Sequence, residues 1–251
     1  MAREIFGVRL DEVASREELE RACIGFLEGD RARRIFTPNP EILLRARNDP
    51  PYRELLNTAD LALPDGTGVA LVESLLARRR VRRWPGVEIG ALVVRLASDR
   101  DLPIAFVGGS ATVAERAAAE WRRRVPSVRV HLAGSGVPID EDGRARPDAR
   151  DDEIVGDLQR AAPAVVLVGL GAPKQERWIA EHTDDIPSAR ILIGVGGAFD
   201  MWAGRLRRAP RPLHRVGLEW AWRLALEPGR FPRIVRATVI FPFRALTERT
   251  S

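Results

Sequence analysis

Short apolar runs recur along this chain, several of them continuous Val/Ile/Leu without polar alternation, and few folds can bury them. They lie at Ile5–Val8, Arg34–Thr37, Leu61–Leu63, Ile104–Val107, Val128–Leu132, Ala164–Val168 and Arg190–Val195. A run such as Val165-Val166-Leu167-Val168 puts apolar side chains on both faces of a strand, so both faces must be covered. Between the runs lie helical patterns with recognisable start signals. Ser15 with Glu18 makes a capping box, Asn39-Pro40 supplies an N-cap and a first-turn proline, and Pro173 opens a helix to about His182. This alternation predicts an α/β fold, an open and mostly parallel sheet of the Rossmann-like kind with helices on both faces.

The chain has 251 residues, 45% of them hydrophobic and 30% charged, which excludes disordered, collagen-like and disulfide-stapled classes. It is long enough for one sizeable core, burying ~70–75% of the unfolded surface. After Gly204 the pattern becomes helical only, with Pro210, Pro212, Pro228, Pro232 and Pro242 interrupting it. The expected organisation is therefore an α/β catalytic domain over 1–204 and an arginine-rich helical appendage over 205–251. The polar stretch Pro138–Asp152 reads as a loop.

Charge divides at the same boundary. Residues 205–251 hold eleven arginines and three glutamates, which leaves the rest of the chain slightly acidic within a net charge of +5. The sequence pI of 10.6 overstates the basicity. Lys174 is the only lysine, and one tyrosine and one cysteine titrate little between neutrality and the arginine pKa. The tail itself calls for an anionic partner. Its first part, Pro212–Glu227, is rich in leucine and tryptophan. Its second part, Phe231–Leu246, interleaves aromatic and aliphatic residues with arginine. That mixture fits an anionic membrane interface, and packing against the body or a sister subunit is the plainer alternative.

The single cysteine, Cys23, excludes an internal disulfide and reads as a small buried hydrophobe on a helix. Met1-Ala2-Arg3-Glu4 places charge where a signal peptide would have its apolar core, and no apolar run approaches the ~18–20 residues of a membrane span. A cytoplasmic protein is expected.

Ligands of such sheets bind beyond the carboxyl ends of the strands. There the sequence places Thr37-Pro38-Asn39, Pro64-Asp65-Gly66, Gly108-Gly109-Ser110, Gly134-Ser135-Gly136, Gly169-Leu170-Gly171-Ala172-Pro173-Lys174-Gln175 and Gly194-Val195-Gly196-Gly197. Repeated glycine turns beside helix N-termini suit phosphate, although glycine also ends strands in any α/β protein. No GxGxxG fingerprint or Walker A loop is present. Asp65, between a proline and a glycine after an apolar strand, is the candidate general base; capping a helix that begins near Gly68 is its structural alternative. Lys174 is a second candidate because every other cation is arginine. The histidines 131, 182 and 214 have no ligand spacing, Asp140-Glu141-Asp142 reads as a solvated turn, and no metal site is expected.

An ordered set of motifs resembles a known family. The set is Thr37-Pro38-Asn39-Pro40-Glu41, Leu63-Pro64-Asp65-Gly66-Thr67-Gly68, Arg83-Trp84-Pro85-Gly86, Phe106-Val107-Gly108-Gly109, Val168 through Glu176, Gly194 through Asp200, Arg208-Ala209-Pro210, Leu218 through Leu224 and Glu227-Pro228-Gly229-Arg230. Together these resemble the WecG/TagA/CpsF glycosyltransferases over nearly the whole chain. The resemblance implies an inverting, metal-independent transferase without a cofactor. It would move a hexose-type sugar such as N-acetylmannosamine from a UDP-sugar donor to a polyprenyl-diphosphate-linked sugar acceptor. The setting would be polysaccharide or teichoic-acid synthesis at the inner membrane face. It also implies roles: Asp65 as the base, Thr37, Asn39, Arg83 and Gln175 around donor and acceptor, and Asp200 with the glycine turns (Gly66, Gly108, Gly109, Gly136, Gly171, Gly196, Gly197) near the nucleoside. Arg208, Arg223 and Arg230, with Lys174, would bind the substrate. Three positions depart from the family pattern: Val137-Pro138 after Gly136, Glu88, and the bulky Trp84.

A non-catalytic nucleotide-sugar-binding or scaffold subunit is the alternative class. A nucleic-acid-binding role is disfavoured because no recognised module accompanies the basic tail. Homo-oligomerisation is left open.

Overall fold

The computed structural model describes residues 3–134, 151–205, 229 and 231–248. Its centre is a six-stranded sheet, parallel throughout, in the order β4-β3-β8-β7-β5-β6. The strands are β3 (Arg33–Phe36), β4 (Leu61–Ala62), β5 (Ile104–Val107), β6 (Val130–Ala133), β7 (Val165–Val168) and β8 (Ile191–Gly194). The expected α/β architecture is what forms. Alternation along each strand sorts its side chains into two cores. Val165 and Leu167 of β7 join one, with Ile104, Phe106, Ile191 and Ile193. Val166 and Val168 join the other, with Ala105, Val107 and Leu192. This explains why central runs such as Ile104–Val107 and Val165–Val168 show no polar positions, whereas the edge strand β6 keeps His131 half-buried.

The first core is covered by α1 (Arg16–Glu28), α5 (Gly86–Ser98), α6 (Ala111–Arg124) and α9 (Ala198–Trp202). Cys23 lies there fully buried, its thiol pushed up to about 12 by burial, as a hydrophobe. The second core is covered by α2 (Pro40–Asn48), α3 (Pro50–Leu56), α4 (Thr67–Ala77), α7 (Asp151–Ala161) and α8 (Lys174–His182). All three predicted helix starts hold, α8 beginning directly after Pro173 and ending at His182. The Ser15 hydroxyl accepts from Glu18 N–H while the Glu18 carboxylate accepts from Ala14 N–H. Asn39 Oδ1 accepts from the N–H groups of Glu41 and Ile42.

One expected strand is corrected. Ile5–Val8 is a reversal between β1 (Arg3–Ile5) and β2 (Val8–Leu10), an antiparallel hairpin outside the main sheet. Phe6 and Gly7 both take positive φ, 54° and 75°, the backbone of a two-residue hairpin turn. Phenylalanine there, where asparagine or aspartate is usual, hid the turn inside an apolar run. The loop read over 138–152 lies outside the described residues as far as 150, and its last two residues begin α7.

The predicted tail helix over 212–227 lies outside the described residues. The second tail segment is helical: α10 (Phe231–Val235), a π-helical turn (Arg236–Ile240) and α11 (Phe241–Thr247). Phe241 and Ala245 are buried in the second core with Val69 and Val72 of α4, and the Phe241 ring meets Phe6 edge-on at 6.0 Å.

Glu73 of α4 is buried, and that burial pushes its carboxyl up to about 7 although Arg3 Nη1 lies 4.0 Å from Oε1. A carboxyl raised in the folded state holds its proton where the unfolded chain has released it. Its contribution is therefore favourable at low pH and is lost as pH rises from about 4.5 toward 7. Glu73→Gln is expected to be more stable than wild type at pH ~8, by at most ~3 kcal/mol, with the difference closing near pH ~4.5. Thermal unfolding across pH checks this; a difference independent of pH would contradict it.

Candidate active site

Because all six strands run the same way, the turns that follow them share one edge. The chain leaves β5 toward β6 and leaves β7 toward β8, so the connections diverge and open a crevice between β5 and β7. A second divergence lies between β3, which leads to β4, and β8, whose following α9 packs on α6 and α5. Helices α2, α4, α5, α6, α8 and α9 all begin at or near this edge, so their positive ends point toward it.

Asp65 follows the edge strand β4, next to the end of β3. Its N–H bonds Pro38 O at 3.0 Å, and its Oδ2 accepts from Gly86 N–H at 3.4 Å. Its side chain is half-buried. The capping alternative does not hold, since the N-cap of α4 is Gly66 and no side chain caps that helix. Gly66 has φ 92°, and a Cβ there would lie 3.1 Å from Pro40 Cδ, so the turn that presents Asp65 requires glycine.

Gly86 opens α5 against Thr37. A Cβ at Gly86 would stand 2.8 Å from Thr37 Oγ1 and 3.6 Å from Gly194 O. Thr37 is itself buried. The loop before Gly86 is anchored by Trp84, which is buried in the first core, bonds Pro64 O through its backbone N–H at 2.8 Å and Val13 O through Nε1 at 3.0 Å. The bulk of Trp84 thus has a structural use. Arg83, half-buried, precedes it.

From Gly194 the contacts run to Gln175. A Cβ at Gly194 would lie 2.7 Å from Gln175 Nε2, and Gln175 Oε1 accepts from Gly196 N–H at 2.8 Å. Gln175 Nε2 donates to Glu176 Oε1 at 2.7 Å, and Tyr52 Oη donates to Glu176 Oε2 at 2.9 Å. Gln175 and Glu176 are buried. Burial pushes the Glu176 carboxyl above the usual carboxylate range, against the opposing pull of the Gln175 and Tyr52 hydrogen bonds. Burial, reinforced by Glu176, pushes the Tyr52 hydroxyl up as well. Gln175 therefore holds the β8 turn in place, with the Glu176–Tyr52 pair beneath it.

On the β5–β7 side, Gly108 and Gly109 take φ 84° and 73°, and Gly109 and Gly169 press on the Phe199 ring. Gly171, at φ 76°, faces open space. Lys174 begins α8 and is half-buried. Gly197 is the N-cap of α9, and Asp200 in its first turn pairs with Arg205 at 3.6 Å.

The structure thus brings Asp65, Thr37, Gly66, Gly196 and Gln175 together, with Gly86, Gly194, Glu176 and Tyr52 added, while the Asn39 side chain is bonded to the start of α2. Gly108, Gly109 and Gly171 line the neighbouring crevice. Gly136, Arg208, Arg223 and Arg230 lie outside the described residues, as do His214 and the acidic triplet at 140–142. Among the described residues no group of three or more His, Cys, Asp or Glu is placed to hold a metal ion, and no helix is long and apolar enough to cross a membrane. His131 and His182 each pair with a separate aspartate, Asp157 and Asp185.

Gly86 could have been found in the sequence, since it closes the Arg83-Trp84-Pro85-Gly86 motif. Tyr52 carries no local signal. Its partner Glu176 is 124 residues away, and only the packing of α3 on α8 brings them together.

The glycosyl transferase WecG/TagA/CpsF family model matches residues 3–251. An N-acetylglucosaminyldiphosphoundecaprenol N-acetyl-beta-D-mannosaminyltransferase of Bacillus spizizenii is 30% identical over 210 residues, which is 84% of this chain and 77% of the relative. A protein of the same name from Staphylococcus aureus is 28% identical over 244 residues, 96% of this chain and 91% of its own length.

Proposed function

This chain belongs to the WecG/TagA/CpsF family of glycosyltransferases, and from that premise we propose the reaction it carries out. It moves a hexose-type sugar, N-acetylmannosamine or a close relative, from a UDP-sugar to a sugar on a polyprenyl diphosphate, with inversion and without a metal ion. The names of the Bacillus and Staphylococcus relatives support the acceptor class and the mannosaminyl group. Cell-wall or extracellular polysaccharide synthesis is the setting that follows.

The observation that carries the proposal is the placement of Asp65. A carboxylate outside a strand end, which accepts from the Gly86 N–H at the start of α5 and does not cap the helix α4 that follows it, is suited to accept a proton. The acceptor hydroxyl gives its proton to Asp65 as its oxygen bonds to the anomeric carbon. On the opposite face the bond from that carbon to the diphosphate oxygen breaks, and the electron pair leaves with UDP. Negative charge then grows on the diphosphate, where the N-termini of α2, α4, α5 and α8 converge and Arg83 stands close by in sequence to Gly86. Arg208, Arg223 and Arg230 of the cationic tail would complete that stabilisation, and the tail would seat the protein on the anionic inner membrane face.

The test is a panel of UDP-sugars with a short-chain polyprenyl-diphosphate sugar, assayed with and without EDTA. Transfer from a UDP-sugar of the N-acetylmannosamine type, unchanged by chelator, is expected. Loss of all transfer in EDTA would overturn metal independence. Tight UDP-sugar binding with no transfer to any acceptor would favour a binding subunit instead.

A further inference from the structure

The large apolar side chains most exposed among the described residues are confined to two elements. Leu71, Leu75 and Leu76 belong to α4; Phe231, Val239, Ile240, Phe243 and Leu246 belong to the tail segment over 231–247. These elements touch: a Cβ at Gly68 of α4 would lie 3.0 Å from Ala237 O and 3.7 Å from the Phe241 ring. Core residues Phe241 and Ala245 fix the tail segment against α4 while Phe231, Val239, Ile240, Phe243 and Leu246 stay exposed.

On α4 the exposed positions 71, 75 and 78 fall at helical spacing along one face, and that face passes from two leucines, 53% and 55% exposed, to Arg78. Arg78, Arg79 and Arg80 are exposed. Arg79 pairs with Glu12. Arg236 is exposed on the tail side. Scattered apolar residues need no explanation, but exposed apolar side chains confined to two touching elements and flanked by arginine do.

We propose that α4 is a membrane-docking helix of the α/β body: Leu71, Leu75 and Leu76 enter an anionic lipid surface while Arg78 and Arg80 meet its headgroups. This deepens the membrane-face reading given above and rests on it. The charge selects lipid over a second copy. A second copy meeting this face about a two-fold axis would set like cations against one another. An anionic lipid surface complements both the leucines and the arginines.

The placement has a consequence for the site. Asp65 immediately precedes the turn that starts α4, and Leu71 follows six residues later, about 9 Å along a helix axis. A helix lying in the interface enters to a depth of roughly 5–10 Å. Docking through α4 therefore brings the turn that carries Asp65 toward the lipid surface, where the sugar of a lipid-linked diphosphate would present its hydroxyl.

Two measurements on the full chain test this. In the first, Leu75→Cys carries an environment-sensitive fluorophore, with buried Cys23 as the only other cysteine, and Glu115→Cys on α6 serves as the control. The label at 75 is expected to shift with phosphatidylglycerol-containing vesicles, and the label at 115 is not. In the second, Leu71→Ser with Leu75→Ser is expected to float with those vesicles about tenfold less or lower still, at unchanged thermal unfolding. Arg78→Glu with Arg80→Glu should weaken flotation similarly, and salt should mimic it. Unchanged flotation of both double variants would overturn the proposal. So would a shift at position 75 on raising protein concentration without vesicles, which would identify a second copy. A label already shielded in dilute protein would identify cover by the chain itself and would overturn the proposal equally. Neither readout needs turnover, so a chain that docks through α4 and transfers no sugar would refute only the enzymatic reading.

Discussion

Asp65→Asn is expected to lower turnover by about 10²–10⁴ while leaving binding of the proposed UDP-sugar donor nearly unchanged. The amide keeps the size of the side chain and can still accept from Gly86 N–H, which the carboxylate does at 3.4 Å. It cannot take up a hydroxyl proton at neutral pH. The turn should survive, because its shape comes from Gly66 at φ 92° and from the Asp65 N–H bond to Pro38 O. Steady-state rates and donor titrations on the same preparation separate the outcomes. Equal rates in both forms would remove Asp65 from the chemistry, and equal losses of rate and donor affinity would make it a binding residue.

Gly86→Ala is expected to cost activity about 10²-fold and stability ~1–3 kcal/mol, although the methyl group reaches no substrate. Its Cβ would stand 2.8 Å from Thr37 Oγ1, and the Thr37 Cβ at 3.7 Å leaves little room for the side chain to withdraw. Either Thr37 or the start of α5 must move, and the second movement carries away the N–H that holds Asp65. Adding Thr37→Ser should restore part of both losses, since serine lacks the second γ substituent and its hydroxyl can rotate away. Kinetics and thermal unfolding of the single and double variants check this. A fully active Gly86→Ala protein would show that the Thr37–Gly86 contact does not position the base.

Much of the fold was legible because its signals are local. Continuous apolar runs announced strands buried on both faces, and the two-core division of β7 is their direct result. Capping at Ser15 and Asn39 needs only the next few residues, and both formed as expected. The failure at Ile5–Val8 is equally physical: hydrophobic content resembles a strand whether or not the backbone reverses at Phe6-Gly7. The site divides in the same way. Turns after strands were visible as glycine clusters, and parallel strands had to gather them at one edge. What no local pattern could reveal was the linkage among them. The Gly86–Thr37 contact, the Gln175–Gly196 bond and the Tyr52–Glu176 pair join distant segments and exist only once helices pack. Gln175 shows the difference, since the resemblance placed it around the substrates and its amide is bonded to Gly196 and Glu176.

A crystal structure of the full chain with a non-transferable UDP-sugar analogue and the lipid-linked acceptor sugar tests the assignment of the base most directly. The acceptor hydroxyl is expected within roughly 2.6–3.2 Å of an Asp65 carboxylate oxygen, on the side of the sugar ring away from the diphosphate. A hydroxyl facing another side chain, with Asp65 turned toward protein and out of reach, would contradict it.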